Sequence, residues 1–143
     1  MRNDEKMLLL NELYLLDKGV RDCFLMTLHG DEETVNESLD YIIGQVISHN
    51  YYMYTYDKNI DPYADEENNK LYDVYICKYN YQKLILHKIH STLDHKSILY
   101  EYCIGTMLGY SGKSMDEFIT KIITNKGITE LENKKEDDIT API

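Results

Sequence analysis

The chain has 143 residues, 43% of them hydrophobic, and its 25 Asp and Glu outnumber 15 Lys and Arg for a formal net charge of −10. That length suits one hydrophobic core, and the acid excess argues against direct, sequence-neutral binding to DNA or RNA, which needs concentrated Lys and Arg. Cys23, Cys77 and Cys103 are odd in number and widely spaced, acids precede and interrupt the apolar stretch Met7 to Leu16, and no run reaches membrane-spanning length. A cytosolic protein without a disulfide framework or secretory leader is the expectation.

From Asp4 to Asp17, Leu9, Leu13 and Leu16 form one stripe widened by Met7, Leu8, Leu10 and Leu15, which predicts a helix buried on much of its circumference and stopped at Lys18-Gly19. Val20 to Leu28 fits two periods. Phe24, Met26 and Leu28 alternate as in a strand, while Val20, Cys23, Phe24 and Leu28 suit a helix, and the helix is the reading adopted. Asp31 reads as an N-cap with Glu32 and Glu33 in the first turn, followed by a helix whose inner positions are Val35, Leu39, Ile42, Ile43, Val46 and Ile47.

Nine of the 14 tyrosines lie between Tyr51 and Tyr81, in a chain with no Trp and two Phe. Tyr51 to Tyr56 and Leu71 to Tyr81 have the aromatic and β-branched alternation of strands, joined by the polar stretch Asp57 to Lys70, so they predict a long-looped antiparallel hairpin. Lys83 to Ile89 reads as a third strand, with a helix as the rival. Ile98 to Tyr110 predicts a helix capped by Ser97 or Asp94, with Ile98, Cys103, Ile104, Met107 and Leu108 inward and Gly109 at its end. Ser114-Met115-Asp116-Glu117 matches a capping box opening a last helix, with Met115, Phe118, Ile119, Ile122 and Ile123 inward and a stop near Asn125 to Gly127. The charged stretch after Ile128 reads as a disordered acidic tail over 128–143, leaving 1–127 as one globular domain of α+β class.

Three constellations bear on chemistry. Asp57, Asn59, Asp61 and Asp65 occupy oxygen-ligand positions of an EF-hand loop, but Pro62 stands where that loop needs Gly and Asn68 where it needs a bidentate Glu. His87, His90 and His95, with Asp94 nearby, are the residues of a zinc or acid-base site without a fourth ligand at familiar spacing. No phosphate-binding Gly-rich loop is present, so no catalytic residue, metal or cofactor is assigned. Tyr combines a large ring with a polar tip and few torsions to freeze, and beside carboxylates it suits recognition as well as a core. The expected partner-binding surface is therefore Tyr52, Tyr54, Tyr56, Asp57, Asp61, Tyr63, Asp65, Glu66 and Glu67.

The stretch Tyr102-Cys103-Ile104-Gly105-Thr106-Met107-Leu108-Gly109-Tyr110, followed by Ser114 to Ile119, resembles the helical-hairpin ending of small bacteriophage proteins. Abundant Ile, Lys, Asn and Tyr on an acidic background also resemble products of AT-rich phages and mobile elements. This resemblance implies a counter-defence factor of the anti-CRISPR kind, acting in the host cytosol on an effector protein with a basic surface. The reading that results is a non-enzymatic acidic binding protein, without membrane or direct nucleic-acid contact and with self-association left open. Two alternatives stand beside it. One is a sponge for a signalling nucleotide in a Tyr-lined cleft balanced by Lys58, Lys70, Lys78 or Lys83, and the other is a metal-assisted hydrolase using His87, His90 and His95.

Overall fold

A computed structural model of the protein describes residues 1–58, 70–110 and 112–134. The first helix, α1 (Asn3–Asp17), buries the stripe Leu9, Leu13 and Leu16, three positions that lie on one side of a 3.6-residue turn. It is buried on that stripe alone. Met7, Leu8 and Leu10 are exposed, Met7 by 71%, so the wide apolar face expected from the sequence narrows to one seam. Gly19 follows with φ 75°, and the Val20 and Gly19 amides return to the carbonyls of Leu15 and Leu16, the Schellman closure that the Lys18-Gly19 signal anticipated.

Val20 to Leu28 is the first correction. Cys23–Gly30 is a strand, β1, whose Phe24, Met26 and Leu28 pack on one side while Cys23 and Leu25 pack on the other. A strand covered on both faces loses the apolar-polar alternation that marks a half-buried one, which is why the helical spacing competed. Next comes α2 (Glu32–Ser48), capped as expected by Asp31, whose carboxylate accepts from the Thr34 amide at 2.7 Å. Val35, Ser38, Ile42 and Val46 form its buried side, while Ile43 and Ile47, expected inward, are exposed.

The tyrosine-rich hairpin pairs as predicted, β2 (Tyr52–Asp57) running antiparallel to β3 (Lys70–Cys77), but β3 ends at Cys77, short of the expected Tyr81, because the chain turns into a helix from Asn80. β1 pairs antiparallel with the other edge of β3, giving the order β1-β3-β2 with β3 in the centre. Lys83 to Ile89 is not a strand. It belongs to α3 (Asn80–Thr92), whose buried positions Gln82, Leu86, Ile89 and His90 follow helical spacing. Two of those four are polar, which hides the period from a count of apolar residues. Gln82 also explains where the helix starts, since its side chain accepts from the Tyr79 amide at 2.9 Å. After it, α4 (Ile98–Met107) is capped by Ser97, which accepts from the Tyr100 amide at 3.1 Å.

The last helix, α5 (Gly112–Lys134), starts two residues before the Ser114 capping box and continues past the expected stop at Asn125 to Gly127. Its anchor on α4 is a close approach: a Cβ on Gly105 would stand 2.2 Å from the Met115 sulfur, so only glycine admits that side chain. Residues 135–143 of the expected tail lie outside the described residues.

These elements make an α+β arrangement of three layers. α1 and α2 cover one face of the sheet through Leu9, Leu13, Leu16, Val35, Ile42 and Val46 on Phe24, Met26, Leu28, Val74 and Ile76. α3 and α4 cover the other through Leu86, Ile89 and Ile104 on Cys23, Tyr75 and Cys77. Among the described residues, no helix is long and apolar enough to cross a membrane.

Candidate functional site

Alternate residues of a strand share a face, so Tyr52, Tyr54 and Tyr56 of β2 stand on the same side of the sheet as Asp73, Tyr75 and Cys77 of β3. That side is the one α3 and α4 cover. Register sets Tyr54 beside Tyr75 and Tyr56 beside Asp73, while α3 brings His87 and His90 across from them, one turn apart. His95 and Tyr100 close the group. Ring centroids lie 4.4 Å apart for Tyr56 and His90, 4.7 Å for Tyr56 and His95, 4.4 Å for His95 and Tyr100, and 5.4 Å for Tyr75 and His90. His87 meets the edge of Tyr54 at 6.0 Å.

His90 is at the centre, 8% exposed, with Nε2 3.1 Å from the Tyr75 hydroxyl. Burial first, then coulombic repulsion from His95 and Lys58, presses its pKa down from 6.5 to about 4, so the ring is neutral at neutral pH. The Tyr75 hydroxyl also hydrogen-bonds Tyr100, so it links His90 to Tyr100, while His90 Nδ1, fully enclosed, is without a protein partner among the described residues. Burial is also the main cause that raises the phenols, Tyr75 strongly and Tyr100 to about 12. Beside this group the buried carboxylate of Asp73 accepts from Thr27 Oγ1 at 3.0 Å and faces Lys58 Nζ at 3.7 Å.

Stacked at these separations, the rings fill each other's space. They make a packed box of aromatic edges and faces, and the two histidines nearest each other, His90 and His95, are not joined by a third ligand: no group of three or more His, Cys, Asp or Glu suited to a metal occurs among the described residues.

The expected binding surface divides accordingly. Tyr54 and Tyr56 turn toward α3 and are half-buried; Tyr52, 40% exposed, and Asp57 remain at the surface. Asp61, Tyr63, Asp65, Glu66 and Glu67 lie outside the described residues, as do Asn59, Asp61 and Asp65 of the EF-hand-like stretch.

Negative charge gathers elsewhere. Asp31, Glu32, Glu33, Glu37 and Asp40, with Asn36, line one open groove on the outer face of α2, and no Lys or Arg occurs from Asp31 to Ser48. Glu33 and Glu37 stand at i and i+4, and Asp40 three further on, a spacing at which like charges repel along a helix. On the opposite side of the sheet α3 carries Lys83 and Lys88 and no acid. The helices α2 and α3, on opposite sides of the sheet, therefore carry opposite charge. In the sequence Glu32 and Glu33 stand out as partners of the helix dipole, whereas the signal for Glu37 and Asp40 is the absence of any Lys or Arg over 18 consecutive residues, Asp31 to Ser48.

A polar latch ties the N-terminal layer together. Asp17 accepts from the Tyr51 hydroxyl and lies 3.2 Å from His49 Nδ1, joining the ends of α1 and α2 to the start of β2. The Tyr51 hydrogen bond is the main cause that lowers the Asp17 carboxyl, and burial with that carboxylate pushes Tyr51 up to about 12.

Comparison of the chain with protein-family models, with curated proteins and with solved structures returns no match.

Proposed function

We propose that this is a non-enzymatic binding protein that docks the acidic outer face of α2 on a basic surface of a partner protein. One observation carries the reading: Glu33, Glu37 and Asp40 line one exposed face of α2 at spacings that repel within the helix, in a stretch from Asp31 to Ser48 that holds no Lys or Arg. A cationic partner relieves that repulsion on contact, and opposite fields speed the encounter. The phosphate-binding groove of a nucleic-acid-handling effector is a surface of this kind, and covering it is the inhibitory action we assign, in keeping with the counter-defence role implied by the phage-like resemblance. Tyr52 supplies the exposed aromatic ring of the hairpin, whereas the packing of Tyr54 and Tyr56 against histidines supports an interior role for those two.

The test separates a placed charge from net charge. Binding to an immobilised arginine-rich peptide is measured at roughly 50 and 300 mM salt, where screening lengths differ more than twofold. Combined Glu33→Gln, Glu37→Gln and Asp40→Asn should weaken low-salt binding about tenfold, while a control set with the same charge change, Asp22→Asn, Asp116→Asn and Glu117→Gln, weakens it less than about threefold. Equal losses in the two sets overturn the assignment to α2.

A further inference from the structure

Cys23 opens β1 and Cys77 closes β3, and the register sets them directly opposite although they lie 54 positions apart. The Lys78 amide donates to the Asp22 carbonyl at 2.8 Å, so 22 and 78 are a hydrogen-bonded pair. Antiparallel ladders alternate, which makes 23 and 77 a non-hydrogen-bonded pair, the position where Cα atoms approach to about 4.5 Å and side chains stand closest. A cystine spans Cα separations of about 4.4 to 6.8 Å. The two sulfurs already touch at 3.6 Å, both thiols are buried, and Cys103, on α4, has no such opposite number in the sheet.

We infer that Cys23 and Cys77 are a thiol-oxidation site that closes a reversible cross-strand disulfide in exchange with a low-molecular-weight disulfide. While the strands are closed the pair is unreactive: the hydrogen bond to Cys77, then burial, raises the Cys23 thiol and suppresses the thiolate. Reaction therefore begins at an opened end. β1 is an edge strand, bonded on one side only, and the exposed residues Val20 to Asp22 precede Cys23, whereas Cys77 is held between β1 and β2. Cys23 is freed first and gives its proton to water. Its thiolate attacks one sulfur of the small disulfide, forming a mixed disulfide and expelling one thiolate. As the strand recloses, Cys77 loses its proton, attacks the Cys23 sulfur and expels the second thiolate. Two protein thiols are oxidised by two electrons, the reagent is reduced to two thiols, and the two protons end on those products. The new bond staples the end of an edge strand to the centre of the sheet and encloses α2 and β2 in a covalent loop.

The full chain is incubated with oxidised glutathione in excess, blocked with an alkylating reagent, and read by intact mass and by non-reducing digestion. A Cys23–Cys77 linked peptide pair is expected, with Cys103 alkylated, with full reversal by dithiothreitol, and with a melting temperature raised by at least about 5 °C in the oxidised form. Cys103→Ser should oxidise identically. Folded protein that keeps all three thiols, stops at glutathione adducts, or forms links through Cys103 or between chains overturns the inference. Every overturning readout is taken on the unmutated chain, so misfolding of a cysteine variant does not affect the result.

Discussion

The two faces of the central sheet are buried by different chemistry. On the α1/α2 side the fully buried residues are Leu, Ile, Val, Phe and Met with Ser38 among them, and the outer face of α2 is acidic. On the α3/α4 side the same three strands meet histidines, phenols and thiols, Asp73 and Gln82 are buried among them, and the outside of α3 is basic. An apolar layer stabilises by area alone and tolerates no loss of volume. A layer with buried polar atoms depends on each hydrogen bond being made, and it responds to protons and oxidants as the first does not.

The comparison breaks most directly in the apolar layer. Leu13→Ala should cost about 2 to 5 kcal/mol, read from denaturant unfolding, because a wholly enclosed side chain leaves a cavity that flanking helices cannot fill. A loss below about 1 kcal/mol would show that α1 is loosely seated.

The aromatic layer should instead reveal itself in acid. An unfolded chain protonates His90 near pH 6.5, while the folded chain holds it neutral to about pH 4, so between these values the unfolded state binds the extra proton. Stability is complete above pH 6.5 and falls as the pH drops toward 4, by up to about 1.4 kcal/mol per pH unit from this group. His90→Leu should flatten that slope, with Tyr54, Tyr56, Tyr75, Tyr100, His95 and Lys58, which surround the ring, left in place. An unchanged slope would mean the proton goes elsewhere.

Smaller and more local is the hydrogen-bond chain. Tyr75→Phe leaves His90 Nε2 without its hydrogen-bond partner in the interior and should cost about 1 to 3 kcal/mol, whereas Tyr75→Phe with His90→Leu removes both ends of that bond and should recover part of that loss. Independent, additive losses would place the two residues outside one network.

What could be read along the chain was whatever depends on near neighbours. The Asp31 cap, the Gly19 and Gly109 stops, the α2 helix and the pairing of the tyrosine-rich hairpin all follow from residues within a few positions of each other or from simple alternation. Which way the tyrosine row faces was not legible, because a strand's two faces are equivalent until a helix covers one of them. β1 and α3 were misread for a related reason: β1 is apolar on both sides, and α3 turns Gln82 and His90 inward, so each lacks the one-sided apolar pattern that period counting needs.

The sequence by itself determined the acidity, the α+β class and the ends of most helices, since charge and capping are local. Tertiary structure alone decided that the tyrosines meet three histidines, that the acidic α2 and the basic α3 lie on opposite sides of the sheet, and that two cysteines 54 positions apart touch. Those outcomes come from strand register and layer order, which are fixed by burying both faces of one sheet at once, a condition that no short stretch of chain carries.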